Sequence, residues 1–505
     1  MASVSRWELC PPGATIQLTK WDKYSILYGQ KYVVFEGEPM SKAAKLLDRA
    51  GRSKPMLYGI AALLSAGFGV FVILTAEKVN VYYPIPTAVI FGGLFFLAQA
   101  LLIAQDRFDA LSLLVAAACL ACVMFSRVAL LYFESNDYKA FLKLWVKKLG
   151  ELPVKEALCE DIGDYNLPYI YILLIFSRLK LDAMICIKSL SCLFDVILAW
   201  LVLRVVSEGV KDRRLQLASY ILVLGIPTIM VNSAMWSQCD AIYVSFCVLS
   251  MLAAMQGRGR LCAISWTVAL CFKLQAVFIL PALGIALLMG KVKPRHLLWI
   301  PAVFLISLLP ALFAGRSLAS CLSIYADQTQ EYGYLFHNAP TVWHFFESAD
   351  FESFSVLTVF TAGAAVILFM FFCLTFIKKL KTQDLVRLFF LSAMLVPYVL
   401  PRMHERYFYM ADVMALIYFM YDRRKWYIPA ALVISSSVGY MYYFNEIVII
   451  NQKYIAVVFF IILATELREF FIVLQDHQRC HADVHAVIIG RFAVQQLHAL
   501  PEMGQ

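Results

Sequence analysis

Charge is what this chain has least of. Only 16% of its 505 residues are charged, against 61% hydrophobic. A soluble protein of that length needs a charged surface over its core, and this one lacks the residues to make it. The formal charge of +9 is scattered, with no basic face of the kind nucleic acid requires, so nucleic acid is excluded as a partner. Strict apolar/polar alternation is missing too, which excludes the strands of a membrane barrel. Thirteen cysteines lie mostly inside apolar runs without repeated metal spacing. The lone C-x-x-C, Cys119 and Cys122, falls within such a run and reads as small packing residues. No cleavable signal pattern is visible, since residues 1–55 are polar. No N-x-S/T sequon appears on the loops read as outer, and no retention signal ends the chain. These absences favour a bacterial plasma membrane over the endoplasmic reticulum.

What is present is a succession of apolar runs of about 20 residues, long enough for a hydrocarbon core of roughly 30 Å. The expected fold is all-α: a polytopic membrane protein with about fourteen transmembrane helices (twelve to fourteen). The predicted spans are 56–75, 84–104, 110–133, 184–206, 215–232, 240–256, 259–272, 275–290, 296–314, 354–377, 386–400, 407–421, 427–443 and 453–474. Basic clusters separate them: "VKDRR", "QGRGR", "GKVKPRH", "IKKLK" and "YDRRK". Placing these inside, as the positive-inside rule directs, leaves 134–183, 233–239, 315–353 and 401–406 outside.

Two places resist a simple count. The run 167–177, "LPYIYILLIFS", is short for a span, and a crossing there would put "VKDRR" outside, so it reads as an interfacial helix. Residues 138–149 carry Tyr138, Phe141, Leu142, Trp145 and Val146 at helical spacing, with lysines between, which predicts an amphipathic helix on the membrane surface. In "CFKLQAVFILP", Lys273 would be costly at mid-membrane. Two short helices turning near Lys273 would bring it to the outer surface. Asp195 lies within a span and reads as a buried partner of Lys188 or Arg204, with lining of a polar cavity as the alternative.

Four polar groupings converge on the outer side. "ESNDY" carries Glu134 and Asp137 just past a span end, and Asp137 at a helix start also reads as an ordinary solvated carboxylate favourable with the helix dipole. "EDIGDYNLPYIY" carries Asp164 and Tyr165. "NSAMWSQCDAIY" holds Trp236, Gln238 and Asp240. "VLPRMHERYFY" places Arg402, His404 and Arg406 outside, against the positive-inside trend, in a cluster suited to a phosphate. An outward carboxylate with outward cations suggests chemistry with a phosphate leaving group. The carboxylate would take a proton from an incoming hydroxyl, and the cations would stabilise charge on the departing phosphate.

These residues resemble a family. "ESNDYKAFLKLW" followed by "GDYNLPYIYIL", then "NSAMWSQCDAIYVSF", "CFKLQAVFILP" and "LPRMHERYFY", is similar to GT-C type glycosyltransferases that use polyprenyl-phosphate-linked sugars. The last two stretches are similar to motifs of the bacterial branch related to the GPI mannosyltransferase II family. The resemblance covers about 110–475 and implies an inverting transfer of a hexose, mannose or glucose, to a lipid, glycan or protein acceptor on the outer face. It implies that Asp137 is the general base, with Glu134 as the lesser candidate. It implies that Asp164 and Tyr165 shape the pocket and that Trp236, Gln238 and Asp240 line it. Lys273, Arg402, His404 and Arg406 would bind the donor phosphate. The family's loop motif often has two prolines after its tyrosine, whereas here Asn166 and Leu167 precede the single Pro168.

The resemblance divides the chain into a polar cytoplasmic segment 1–55, two extra helices in 56–109, the glycosyltransferase-like membrane domain 110–475 and a cytoplasmic tail 476–505 with three close histidines. Outer loops 134–183 and 315–353 belong to the membrane domain, the first of them catalytic. Relatives differ in using a divalent metal, and no ligand set is read beyond Asp137, Asp164 and Asp240. A transporter or flippase of lipid-linked sugars is the alternative. It would also need a lipid groove and cations, but the two halves show no repeat of the motifs. A purely structural membrane scaffold would not need the cationic cluster.

Overall fold

Among the described residues the computed structural model is all-helical, with nineteen α-helices in chain order linked by 3-10 turns and two π-helical turns. It describes residues 53–330, 335, 336, 338–346 and 351–498, with side chains described as far as 475 except at 329, 330 and 351. Residues 1–52 of the polar N-terminal segment, and the side chains of the three tail histidines, lie outside what is described.

Each predicted apolar stretch falls on helix, but the expectation of about fourteen crossings is corrected by their lengths. Among the described residues six helices are long and apolar enough to cross a bilayer: Lys54–Val79, Pro84–Ala104, Ala110–Leu130, Ala183–Gly209, Pro294–Ala314 and Glu352–Thr375. A seventh arises if Arg213–Gly225 and Pro227–Met235, bent by 48°, count as one broken span. These helices mark an integral membrane protein. Several of the others are short. Asp240–Met255 has 16 residues, Gly259–Phe272 has 14 and Leu280–Leu288 has 9. At 1.5 Å per residue they span about 24, 21 and 14 Å. For some of them the apolar character comes from the protein interior. Almost every residue of Asp240–Met255 and Asp384–Val399 is buried by neighbouring helices, as expected of a helix that is hydrophobic all round. By contrast, Phe351–Thr375 exposes Val356, Val359, Phe360, Ile367, Leu368 and Phe371, a face that suits lipid.

The predicted surface helix begins as a π-helical turn, Tyr138–Leu142, and continues as Lys143–Glu151. It buries Tyr138, Leu142, Val146 and Leu149 against the 12-residue helix Leu167–Arg178. That second helix rises about 18 Å, short of a bilayer core.

Lys273 does end one short helix, and a 3-10 turn, Leu274–Ile279, leads into the next. The lysine is buried rather than at the surface. Asp195 is also differently partnered from expectation. Its Oδ2 accepts from Arg127 Nε and Nη2 at 3.0 and 2.9 Å and from Ser233 Oγ at 2.6 Å. Lys188 instead donates to the Phe133 carbonyl at 2.7 Å, and Arg204 lies over the Trp200 ring. Arg127 escaped notice because a single basic residue in "VMFSRVALLYF" does not interrupt the apolar run. Its Nη1 also donates to the Leu224 carbonyl at 2.9 Å, in the last turn before the break at Ile226. A buried arginine thus joins three segments behind the outer-loop groups.

Candidate functional site

Asp137 stands at the head of the π-helical turn Tyr138–Leu142. Ser135 anchors that turn: its hydroxyl accepts from the Tyr138 N–H at 3.2 Å and donates to the Trp236 carbonyl at 2.9 Å. The partner segment is π-helical as well. Val231–Met235 closes with the Trp236 N–H on the Val231 carbonyl at 2.8 Å. Ser237 then takes a left-handed backbone, φ 71°, unusual for a side chain other than glycine. This reversal lets Trp236 and Gln238 reach the same carboxylate. Single-turn π segments recur at functional sites, and both of these carry site residues.

Four side chains donate to Asp137. Oδ2 accepts from Trp236 Nε1 at 2.9 Å, Gln238 Nε2 at 2.8 Å and Arg406 Nη1 at 3.1 Å. Oδ1 accepts from the Tyr443 hydroxyl, which in turn accepts from the Asp137 N–H at 3.0 Å. The Asp137 side chain nevertheless stays 21% exposed, and it faces a cavity of about 700 Å³. Tyr165 extends the network, donating to Gln238 Oε1 at 2.7 Å. Burial raises its phenol well above the usual range, so it remains a donor.

The cavity has a polar end and an apolar end. Asp164, Tyr165, Gln238, Lys273, Arg402, His404, Glu405 and Arg406 gather around Asp137. Beyond them lie Phe272, Leu274, Val277 and Phe278, with Thr358, Val359 and Ala362 of the lipid-facing helix. Val359 lines the cavity and is 72% exposed, so the cavity reaches the helix whose other exposed side chains suit lipid. Phe141 and Trp145 of the surface helix form another wall. Trp145 rests on Gly163, whose φ is +78°; a Cβ there would stand 2.6 Å from the ring.

The eleven sequence-derived residues divide by position. Asp137, Asp164, Tyr165, Gln238, Lys273, Arg402, His404 and Arg406 line the one cavity. Trp236 and Asp240 are not on its wall; both are buried behind it. Trp236 acts through its bond to Asp137. Asp240 accepts from Asn232 Nδ2 at 2.7 Å and forms an ion pair with Lys273, which holds that lysine near the Tyr165 ring. Glu134 is not on the wall either. It pairs with Lys143 at 3.0 Å on the exposed protein surface, because a residue three positions before Asp137 precedes the turn that aims the site. The loop 315–353 is tied to the cationic cluster by the bridge between Asn338 and His404 and by the Arg402 N–H on the Leu335 carbonyl at 2.9 Å.

Burial and the Asp161 charge raise the Asp164 carboxyl above its usual range. Burial likewise pushes Glu405 up to about 7. Among the described residues no group of three or more His, Cys, Asp or Glu side chains is placed to hold a metal. Asp137, Asp164 and Asp240 do not form a ligand set: Asp137 is ringed by donors and Asp240 is committed to Lys273 and Asn232.

Tyr443, Ser135 and Glu405 are site residues that the sequence did not single out. "GYMYYFN" at the end of an apolar helix has the usual look of an interfacial tyrosine anchor. No known family model matches the chain, and no curated protein matches it.

Proposed function

We propose that the chain is an inverting membrane glycosyltransferase of the GT-C type. It would move a hexose, mannose or glucose, from a polyprenyl-phosphate donor to a glycan, lipid or protein acceptor at the outer face of a bacterial plasma membrane. One observation carries this reading. A carboxylate held by four side-chain donors faces a cavity whose lining joins cations to apolar residues, among them Val359 and Ala362 of the helix with the lipid-suited face. A prenyl chain suits the apolar end, and its phosphate suits the cations at Arg402, His404, Arg406 and Lys273.

In this scheme Asp137 accepts the proton of the acceptor hydroxyl as that oxygen bonds to the anomeric carbon. The bond from that carbon to the phosphate oxygen breaks, its electron pair leaves with the phosphate, and configuration inverts. General-base catalysis of this kind contributes on the order of 10²–10⁴ in rate.

The test is an assay of purified protein in detergent with synthetic polyprenyl-phosphate-mannose and -glucose, with the product linkage determined. Wild type should transfer sugar, and Asp137→Asn should lose on the order of 10²–10⁴ in turnover while still binding donor. Full transfer by Asp137→Asn would refute the base. The same cavity also suits carriage of a lipid-linked sugar, and movement of intact donor across vesicles without transfer would establish that alternative.

A further inference from the structure

Glu405 lies between the two groups that define the polar end of the cavity, His404 and Arg406, at the start of the 3-10 turn Glu405–Phe408. Glu405 is one of the residues lining the cavity, yet its side chain is only 2% exposed. Its Oε2 has no hydrogen-bond partner among the described residues, and His404 Nδ1 stands 3.9 Å away. The placement is built in. A Cβ on Gly439 would come within 2.9 Å of the Glu405 Cβ, so glycine there lets the turn close on helix Tyr427–Asn445. A buried polar atom left unpaired is costly and is retained where a ligand completes it.

We propose that Glu405 binds the donor as a neutral acid, donating a hydrogen bond to an oxygen of the phosphodiester, so that donor affinity falls when it ionises. This rests on the polyprenyl-phosphate reading and adds a residue and a proton to it. An ionised carboxyl here would repel the same phosphate that the neighbouring cations attract, whereas the acid form adds a donor.

The surrounding groups favour the acid. Burial is the largest influence and moves the group up to about 7; Arg406 opposes that shift and Asp137 adds to it. Arg406 is engaged by Asp137. Helix Tyr427–Asn445 presents Gly439 at this point, with the uncharged Gln452 amide beside it. Helix Tyr409–Tyr421 contributes Tyr409 and Asp412, and the latter accepts from Thr228 and Ser436. Asp384 and Arg387 belong to the far end of Asp384–Val399, and Arg387 is paired with Glu466.

The experiment is equilibrium binding of polyprenyl-phosphoryl-mannose to purified wild type, Glu405→Gln and His404→Gln between about pH 6 and about pH 9. A phosphodiester does not titrate in that range, so the protein sets any change. Wild-type affinity should fall about tenfold per pH unit above about 7. Glu405→Gln keeps an N–H donor and cannot ionise, so it should hold the low-pH affinity throughout. His404→Gln should retain the alkaline fall. An alkaline fall that persists in Glu405→Gln, or a flat wild-type profile, would overturn the assignment. Absence of binding in wild type at every pH would overturn the donor reading itself.

Discussion

Trp236 lies flat on Tyr443, ring centroids 4.0 Å apart and planes 25° from parallel, and the two donate to opposite oxygens of one carboxylate, Asp137. The stack fixes both donors before any substrate arrives, which is the preorganisation that an electrostatic site needs. Tyr443 is held further by the Asp137 N–H, so residue and partner grip each other twice.

Tyr443→Phe removes that hydroxyl and keeps the stack. A hydrogen bond to a charged group contributes about 1.5–3 kcal/mol, so turnover should fall roughly 10- to 150-fold. The KM for donor should change little, because the cations and the apolar end of the cavity are untouched. Steady-state kinetics with the donor varied would check both numbers; a rise in KM alone would mean that Tyr443 serves binding and not the carboxylate.

The Arg127–Asp195 pair gives a stability prediction. Both side chains are fully buried, and removing one partner strands the other, which costs about 3–5 kcal/mol. Arg127→Met should therefore lower the thermal midpoint in detergent by several degrees. The double variant Arg127→Met, Asp195→Leu should recover much of the loss, since a buried pair replaced by apolar groups of similar volume is often neutral. Equal losses in single and double variants would show that the bond to the Leu224 carbonyl matters more than the ion pair.

Gly163→Ala tests the wall beside Trp145. The added Cβ would meet the indole at 2.6 Å, from a backbone of positive φ. Overpacking of this kind costs about 1–3 kcal/mol. The displaced ring should change intrinsic fluorescence, and acceptor KM should rise more than donor KM. An unchanged spectrum with wild-type kinetics would show that the wall yields without consequence.

Topology can be checked by cysteine labelling from each side of sealed vesicles. Asp212→Cys, next to a basic cluster, should label from the cytoplasmic side, and Glu151→Cys, at the end of the surface helix, from the other. Labelling of both from one side would overturn the orientation taken from charge placement.

Much of this arrangement was legible in the sequence, for a physical reason. Apolar runs reveal helices wherever the surroundings are apolar, whether lipid or protein, which is why helix positions came through and the count of crossings did not. Asp240–Met255 is as greasy as a span because other helices enclose it. Lys273 disclosed the turn near it, since a cation cannot sit at mid-membrane unpaired. Its partner Asp240 was named, but for the cavity wall rather than for the lysine. Arg127 was missed because one charge dissolves in a long hydrophobic average. Tyr443 was missed because an interfacial tyrosine has two uses and one appearance. Glu134 and Asp137, three residues apart, share one composition; only the turn between them decides which faces inward.

The two π-helical turns bear on how such a site can change. Each holds one residue more than an α-helical turn would. Deleting one residue from 231–235 would restore regular winding and rotate the adjoining segment by about 100°, carrying the Trp236 donor off Asp137 and breaking the reach of Gln238. Substitutions along these segments can be absorbed singly, but a change in length cannot. Across related sequences, insertions and deletions should be excluded from 135–142 and 231–240 even where residue identities drift.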